Sequence, residues 1–209
     1  MIGLSARVRP QAGSFAPLPS NRGLPLLADL RWDGFTAALE GAHTEQLVVI
    51  GGVERLPTRT VPREVSAICA GDGAYLDVPR GLATCHALTH RLGIDASRLE
   101  HRLSEGNTGG NVAVIRALLD ELQLSPEEVC ICTNFYHLPR STMDLHAAGL
   151  GGLATVPAEA FLLAALGDRE ACEQRLLDAF GKGPLALRAV AEIRGMADKL
   201  NGAYTPLAR

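Results

Sequence analysis

The stretch "QLVVIGG", Gln46 to Gly52, decides the fold. It is a continuous apolar run that ends in two glycines, with no alternation of apolar and polar positions. A strand with one wet face alternates, whereas a strand covered on both faces does not. This run therefore predicts a parallel strand inside a helix-covered sheet.

Upstream, the spacing predicts a helix over Leu26–Leu39, weakened by Gly34. Residues 1–25 are rich in Pro, Gly and Ser and read as an irregular arm, with a short strand near Ile2–Val8. Downstream, "VERLPTRTVPREVSAICAGDG" is mixed, with Pro62 placed to open a helix over Arg63–Ala70. Pro79 suits the first turn of a helix over Arg80–Leu92 that Gly93 closes. A brief strand over Arg98–Leu103 comes next, then the clearest helix, Gly110–Leu122. In that helix Val112, Ile115, Leu119 and Leu122 recur at helical spacing. Strand Val129–Thr133, helix Pro139–Ala148 and strand Leu153–Val156 complete the alternation. From Ala158 to Gly202 the chain reads as helices broken at Gly167 and at "GKGP", Gly181 to Pro184. Strands alternating with helices define an α/β chain with a mostly parallel sheet and a helical C-terminal segment. The expected organisation is an arm over 1–25 and one domain over 26–209.

Composition narrows the function. With 209 residues, 47% hydrophobic and 21% charged, the chain suits a globular fold. A formal net charge of −3 provides no global attraction to nucleic acid or an anionic membrane. No apolar run approaches the ~18–20 residues of a membrane span, and the first residues lack a signal-peptide core. Cys69, Cys85, Cys130, Cys132 and Cys172 form no CxxC pair and are odd in number. These features predict a cytoplasmic protein with no membrane or nucleic-acid partner. Cys130 and Cys132 alternate within one strand and should face the same side of the core.

Ligands of parallel sheets lie outside the carboxyl ends of the strands, where this chain carries three polar turns. The first is Gly51-Gly52, which lets the backbone turn sharply and come close to a ligand. The second is "SEGNTGGN", Ser104 to Asn111. There Asn107 or Thr108 can cap the helix, and Gly109-Gly110 leave its first amides uncovered as an anion-binding corner. Asn111 lies on the core-facing side and needs a partner or a ligand. The third is "ICTNFYHLPR", Ile131 to Arg140. Pro139 fits the first helical position, with His137 just before the helix and Arg140 in its first turn. The helix dipole there favours a neutral imidazole that can relay a proton, and a guanidinium grips a carboxylate or phosphate.

With these motifs in view, the chain resembles the YdcF-like family, which includes SanA- and ElyC-like proteins. The resemblance rests on "VVIGG", "EHRLSEGNTGGN" and "TNFYHLPR" in that order, and covers the chain from about Leu26 onward. Arg31 falls where the family often has an arginine, and "AEIRGMADKLNGAY" is similar to its closing helix. The chain departs from the pattern in three places. Gly110 stands where the family has a glutamate. One extra residue between Ser104 and Asn107 leaves Glu100 and Glu105 as competing acidic positions. "ARVRPQAG" replaces an apolar opening strand. The membrane anchor of SanA- and ElyC-like members is not visible. The resemblance implies a Rossmann-like three-layer sandwich and S-adenosylmethionine as one ligand, without an established reaction. No strict GxGxxG follows the first predicted strand, so no dinucleotide site is assigned.

The expected site therefore takes His137 and Arg140 as catalytic candidates. Gly51, Gly52, Ser104, Glu105, Asn107, Thr108, Asn111 and Asn134 are its ligand-binding residues. An anionic or nucleotide-like small molecule is the expected ligand, with hydrolysis or group transfer as the chemistry. The alternative is a non-catalytic ligand sensor. Oligomeric state is not encoded in these motifs. His86 and His90 are four apart on a helix, but without an HExxH glutamate or an identified third ligand they read as a solvent-facing pair, and no metal is assigned. Glu159 and Glu192 read as surface groups, and Trp32 as packing.

Overall fold

Every residue of strand β4 (Leu47–Gly51) is buried, as its unbroken apolar run requires. The computed structural model describes residues 1–18, 26–165, 169–181 and 183–202. Among them, β4 belongs to a five-stranded sheet in the order β10 (Ala154–Pro157), β9 (Cys130–Thr133), β1 (Ile2–Leu4), β4, β8 (Leu99–Leu103). All four pairings are parallel, with Ile2 in register with both Val48 and Ile131.

The strands send alternate side chains to opposite faces. Leu47, Val49, Cys132 and the half-buried Cys130 pack on one side with α1 (Leu26–Glu40), α3 (Arg80–Leu92) and α6 (Ala158–Ala165). Ile2, Leu4, Val48, Ile50 and Ile131 pack on the other with α4 (Thr108–Leu122) and α5 (Leu138–Ala147). Helices thus cover both faces, and the molecule is a Rossmann-like three-layer α/β fold. Beyond α6, α7 (Arg169–Phe180) and α8 (Pro184–Leu200) build a further apolar cluster around Leu176, Val190 and Ile193, joined by Leu30 of α1. Lys182, within the predicted break, and Gly167 lie outside the described residues. No helix among the described residues is long and apolar enough to cross a membrane.

Several expectations need correction. The irregular arm expected at the N-terminus begins as the central strand of the sheet, since β1 is held between β4 and β9. The short strand expected near Ile2–Val8 is present as "IGL", upstream of "ARVRPQAG". That later segment is part of a hairpin of β2 (Val8–Gln11) and β3 (Ser14–Pro17), where Val8, Phe15 and Ala16 are buried. The helix expected over Arg63–Ala70 is a single turn, α2 (Arg63–Ser66), followed by β6 (Ala70–Gly71). With β5 (Val53–Pro57) and β7 (Tyr75–Pro79), β6 makes a small antiparallel sheet that the mixed sequence did not reveal. Gly34 marks a close approach: a Cβ there would lie 2.2 Å from the carbonyl oxygen of Ala158, so glycine lets α1 and α6 touch.

Candidate functional site

Strand order fixes where a site belongs. The chain passes outward from β1 to β4 to β8, then returns to place β9 on the other side of β1. Connections diverge at that point and leave a crevice beyond the strand carboxyl ends. A cleft of about 390 Å³ occupies it, lined by Leu4 and Ser5 at the end of β1, Gly51-Gly52 at the end of β4, Gly106, Asn107 and Asn111 at α4, and Thr133, Tyr136, His137 and Arg140 from the end of β9 into α5.

Six of the ten expected residues meet at this wall: Gly51, Gly52, Asn107, Asn111, His137 and Arg140. Ser104 and Asn134 stand behind it. The Ser104 hydroxyl donates to Asn111 Oδ1 at 2.6 Å, giving that inward-facing amide its partner. Asn134 is fully buried. Glu105 is exposed and is not part of the wall, while Glu100 pairs with Arg102 on β8 at 2.7 Å. Neither brings a carboxylate to the cleft. Glu105 instead packs on Gly110, where a Cβ would lie 2.9 Å from its own Cβ. The backbone of Thr108 opens α4, and its side chain lies outside the described set.

The anion corner expected at α4 is also altered. Asn107 caps the helix by accepting from the Gly110 amide at 2.7 Å, so that amide is already satisfied. The glycine pair has a second rationale as well. A Cβ on Gly51 would lie 1.8 Å from Ser5 Oγ, and one on Gly52 2.4 Å from Gly106 Cα. Both glycines allow neighbouring turns to close on each other.

The positive charge of the cleft was only partly foreseen. Among the described residues, Arg7, Arg31, Arg80 and Arg140 line it, and no carboxylate does. Arg140 is exposed, with Asp144 one turn along α5 at 4.0 Å. Arg7 and Arg80 share Glu54: Arg7 Nη2 donates to Oε1 at 2.6 Å and Arg80 Nε to Oε2 at 3.2 Å. Glu54 takes an inward position on β5, interrupting the alternation that would have identified the strand.

Arg31 is 3% exposed and donates to Asn134 Oδ1 at 2.6 Å and to the Leu4 carbonyl at 2.8 Å. Asn134 Nδ2 donates to Glu159 Oε1 at 2.8 Å, and Glu159 Oε2 accepts from the Phe135 amide at 3.0 Å. Glu159 is therefore a buried anchor rather than a surface group, and burial pushes its pKa up. The sequence held the signal: "AEAFLLAA" is apolar on every side apart from this residue, so a helix buried all round must bury its one carboxylate. Glu192 is exposed and Trp32 is buried, as expected.

His137 is half-buried beside Tyr136, with ring centroids 4.5 Å apart. Its pKa falls to about 4, first through burial and then through the positive fields of Arg31 and Arg140. The imidazole is thus neutral at pH 7, as anticipated, although desolvation and guanidinium charge are the causes in place of the helix dipole. Ser5 Oγ, between Gly51 and the cleft, is buried without a hydrogen-bond partner.

The arrangement defines a cationic crevice at the switch point of a Rossmann-like sheet, with a neutral histidine at its edge. Comparison of the chain with protein-family models, curated proteins and solved structures gave no match.

Proposed function

We propose that the cleft binds an anionic small molecule, a phosphorylated or nucleotide-like metabolite, and acts on it by hydrolysis or group transfer. One observation carries this reading: among the described residues, four arginines and no carboxylate line a crevice at the carboxyl edge of a parallel sheet. Phosphate oxygens accept from guanidinium forks in pairs, and the unpartnered Ser5 hydroxyl supplies a further donor. His137, neutral at pH 7, is the group that takes a proton from an attacking water or hydroxyl. The order of the three turns supports a YdcF-like relationship. S-adenosylmethionine fits this wall poorly, because its sulfonium and ammonium would sit among guanidiniums with no carboxylate to receive them. Five free cysteines support the cytoplasm as the compartment.

The test is a thermal-shift series with pyrophosphate, nucleoside triphosphates and sugar phosphates, repeated on Arg140→Ala. The reading expects stabilisation by at least one class and its reduction in the variant; no stabilisation by any of them would end it. His137→Ala separates chemistry from binding, because a catalytic base is lost without losing the ligand.

A second reading, a ligand sensor without turnover, is favoured because no carboxylate stands among the described residues of the wall. Acid–base chemistry commonly uses two titratable groups with separated pKa values. A stabilising phosphorylated ligand that yields no product on long incubation selects it.

A further inference from the structure

The two histidines of α3 are not the solvent-facing pair that their spacing suggests. His86 is 8% exposed, whereas His90 is exposed. Their rings stack with centroids 4.1 Å apart and planes at 27°. A third group that sequence spacing could not supply comes from α2: Glu64 Oε1 lies 2.8 Å from His86 Nε2. One ligand atom from each of Glu64, His86 and His90 lies within 4.8 Å of the others.

We propose that Glu64, His86 and His90 form a binding site for a divalent transition-metal ion, with zinc as the fitting species. Two neutral imidazoles and a carboxylate make a zinc ligand set, and hard cations such as magnesium and calcium prefer all-oxygen shells. Zinc bonds of ~2.0–2.2 Å place tetrahedral ligand atoms roughly 3.3 Å apart. Rotation of the exposed Glu64 and His90 side chains closes the remaining distance onto the fixed His86. The fourth position faces solvent and takes a water.

His86 already has the support that metal-bound histidines use. Its Nδ1 lies 3.0 Å from Ser14 Oγ, and the ring meets Phe15 edge-on with centroids 5.5 Å apart. Without an ion, Nε2 donates to the Glu64 carboxylate and Nδ1 accepts from the Ser14 hydroxyl; coordination takes the tautomer in which Nδ1 donates to Ser14 Oγ and the Nε2 lone pair is free for the metal. The ion would clip α2 and the β2–β3 hairpin to α3. His86 lies six positions beyond Arg80 of the cleft, about 9 Å along the helix, so this site is separate from the anion site.

The experiment uses untagged full-length protein, stripped with a chelator and given zinc. One zinc per chain retained through gel filtration, with a raised Tm, supports the site. His90→Ala and Glu64→Gln alter exposed residues, and each should weaken zinc binding at least about tenfold. Ser14→Ala, which removes only the support of His86, should weaken it about 10–100-fold. Cobalt in place of zinc should show ligand-field bands without thiolate charge transfer. Failure to retain zinc, unchanged affinity in either ligand variant, or a thiolate band that moves the metal to a cysteine would each overturn the proposal.

Discussion

Arg31 Nε donates a 2.6 Å hydrogen bond to Asn134 Oδ1 across 103 residues of chain, tying α1 to the end of β9. Asn134 in turn donates to Glu159, so one amide side chain stands between a buried cation and a buried anion. It holds both, with Arg31 bordering the cleft and Glu159 behind it. Thr133 and His137, on either side of Asn134, line the cleft.

Asn134→Ala removes a bridge with a charged group at each end. Hydrogen bonds to charged groups contribute about 1.5–3 kcal/mol each, and an abandoned buried charge costs more. The variant should lose about 2–5 kcal/mol in urea denaturation. Glu159→Gln should lose less, since its amide oxygen still accepts from the backbone of Phe135. Equal stability of Asn134→Ala and the parent would remove this network from the account of the site.

The strands that form the sheet were legible where they were long and apolar, as in β4 and β9, and the helices where apolar spacing was regular, as in α4. β1 was legible only as a short strand near Ile2–Val8, because three residues carry no period; its central place comes from pairing with β4 and β9. β5 escaped because Glu54 holds an inward position for electrostatic reasons. The turns of the site were legible because glycine, asparagine and proline mark backbone geometry locally. Arg7 and Arg80 were not, because the tertiary fold alone brings an arginine after β1 and another at the start of α3 to one wall. His86 was misjudged for the same reason: periodicity gives its face on α3 but not the hairpin that covers it.

The depressed pKa of His137 gives a pH signature. The folded imidazole titrates at about 4, against 6.5 for the unfolded chain. Between those values the unfolded chain binds a proton that the folded protein does not. The stability contributed by the neutral ring is therefore complete above about pH 6.5 and is lost as pH falls toward 4. NMR titration of the ring should find a midpoint near 4. Arg140→Ala should raise it by removing a positive field, and pyrophosphate should raise it by offsetting the same field. A midpoint at the ordinary histidine value would deny His137 its neutral role.

Gly52→Ala tests whether the two turns must touch. The added methyl would meet Gly106 at 2.4 Å from Cα and 2.9 Å from the amide nitrogen, both backbone atoms that cannot rotate away. Gly106 has a φ of +79°, a left-handed conformation that glycine tolerates best. Separating the turns should cost about 1–3 kcal/mol and reduce stabilisation by a phosphorylated ligand. Circular dichroism melts with and without pyrophosphate read both effects, and a variant unchanged in both would mean that the approach is incidental.

Glu54→Gln addresses what the arginines are for. The Glu54 carboxylate is almost fully buried and neutralises Arg7 and Arg80 together. Glutamine keeps the shape and one acceptor but removes the charge, leaving two guanidiniums less compensated. The free protein should lose about 1–3 kcal/mol. A bound phosphate then supplies the missing negative charge, so pyrophosphate should raise the Tm of the variant by more than it raises that of the parent. Added salt should diminish this gain, because part of the new attraction lies at the solvent-facing Arg7. A smaller ligand-induced rise in the variant would mean that Glu54 chiefly orients the arginines, and that orientation outweighs net charge in holding the anion.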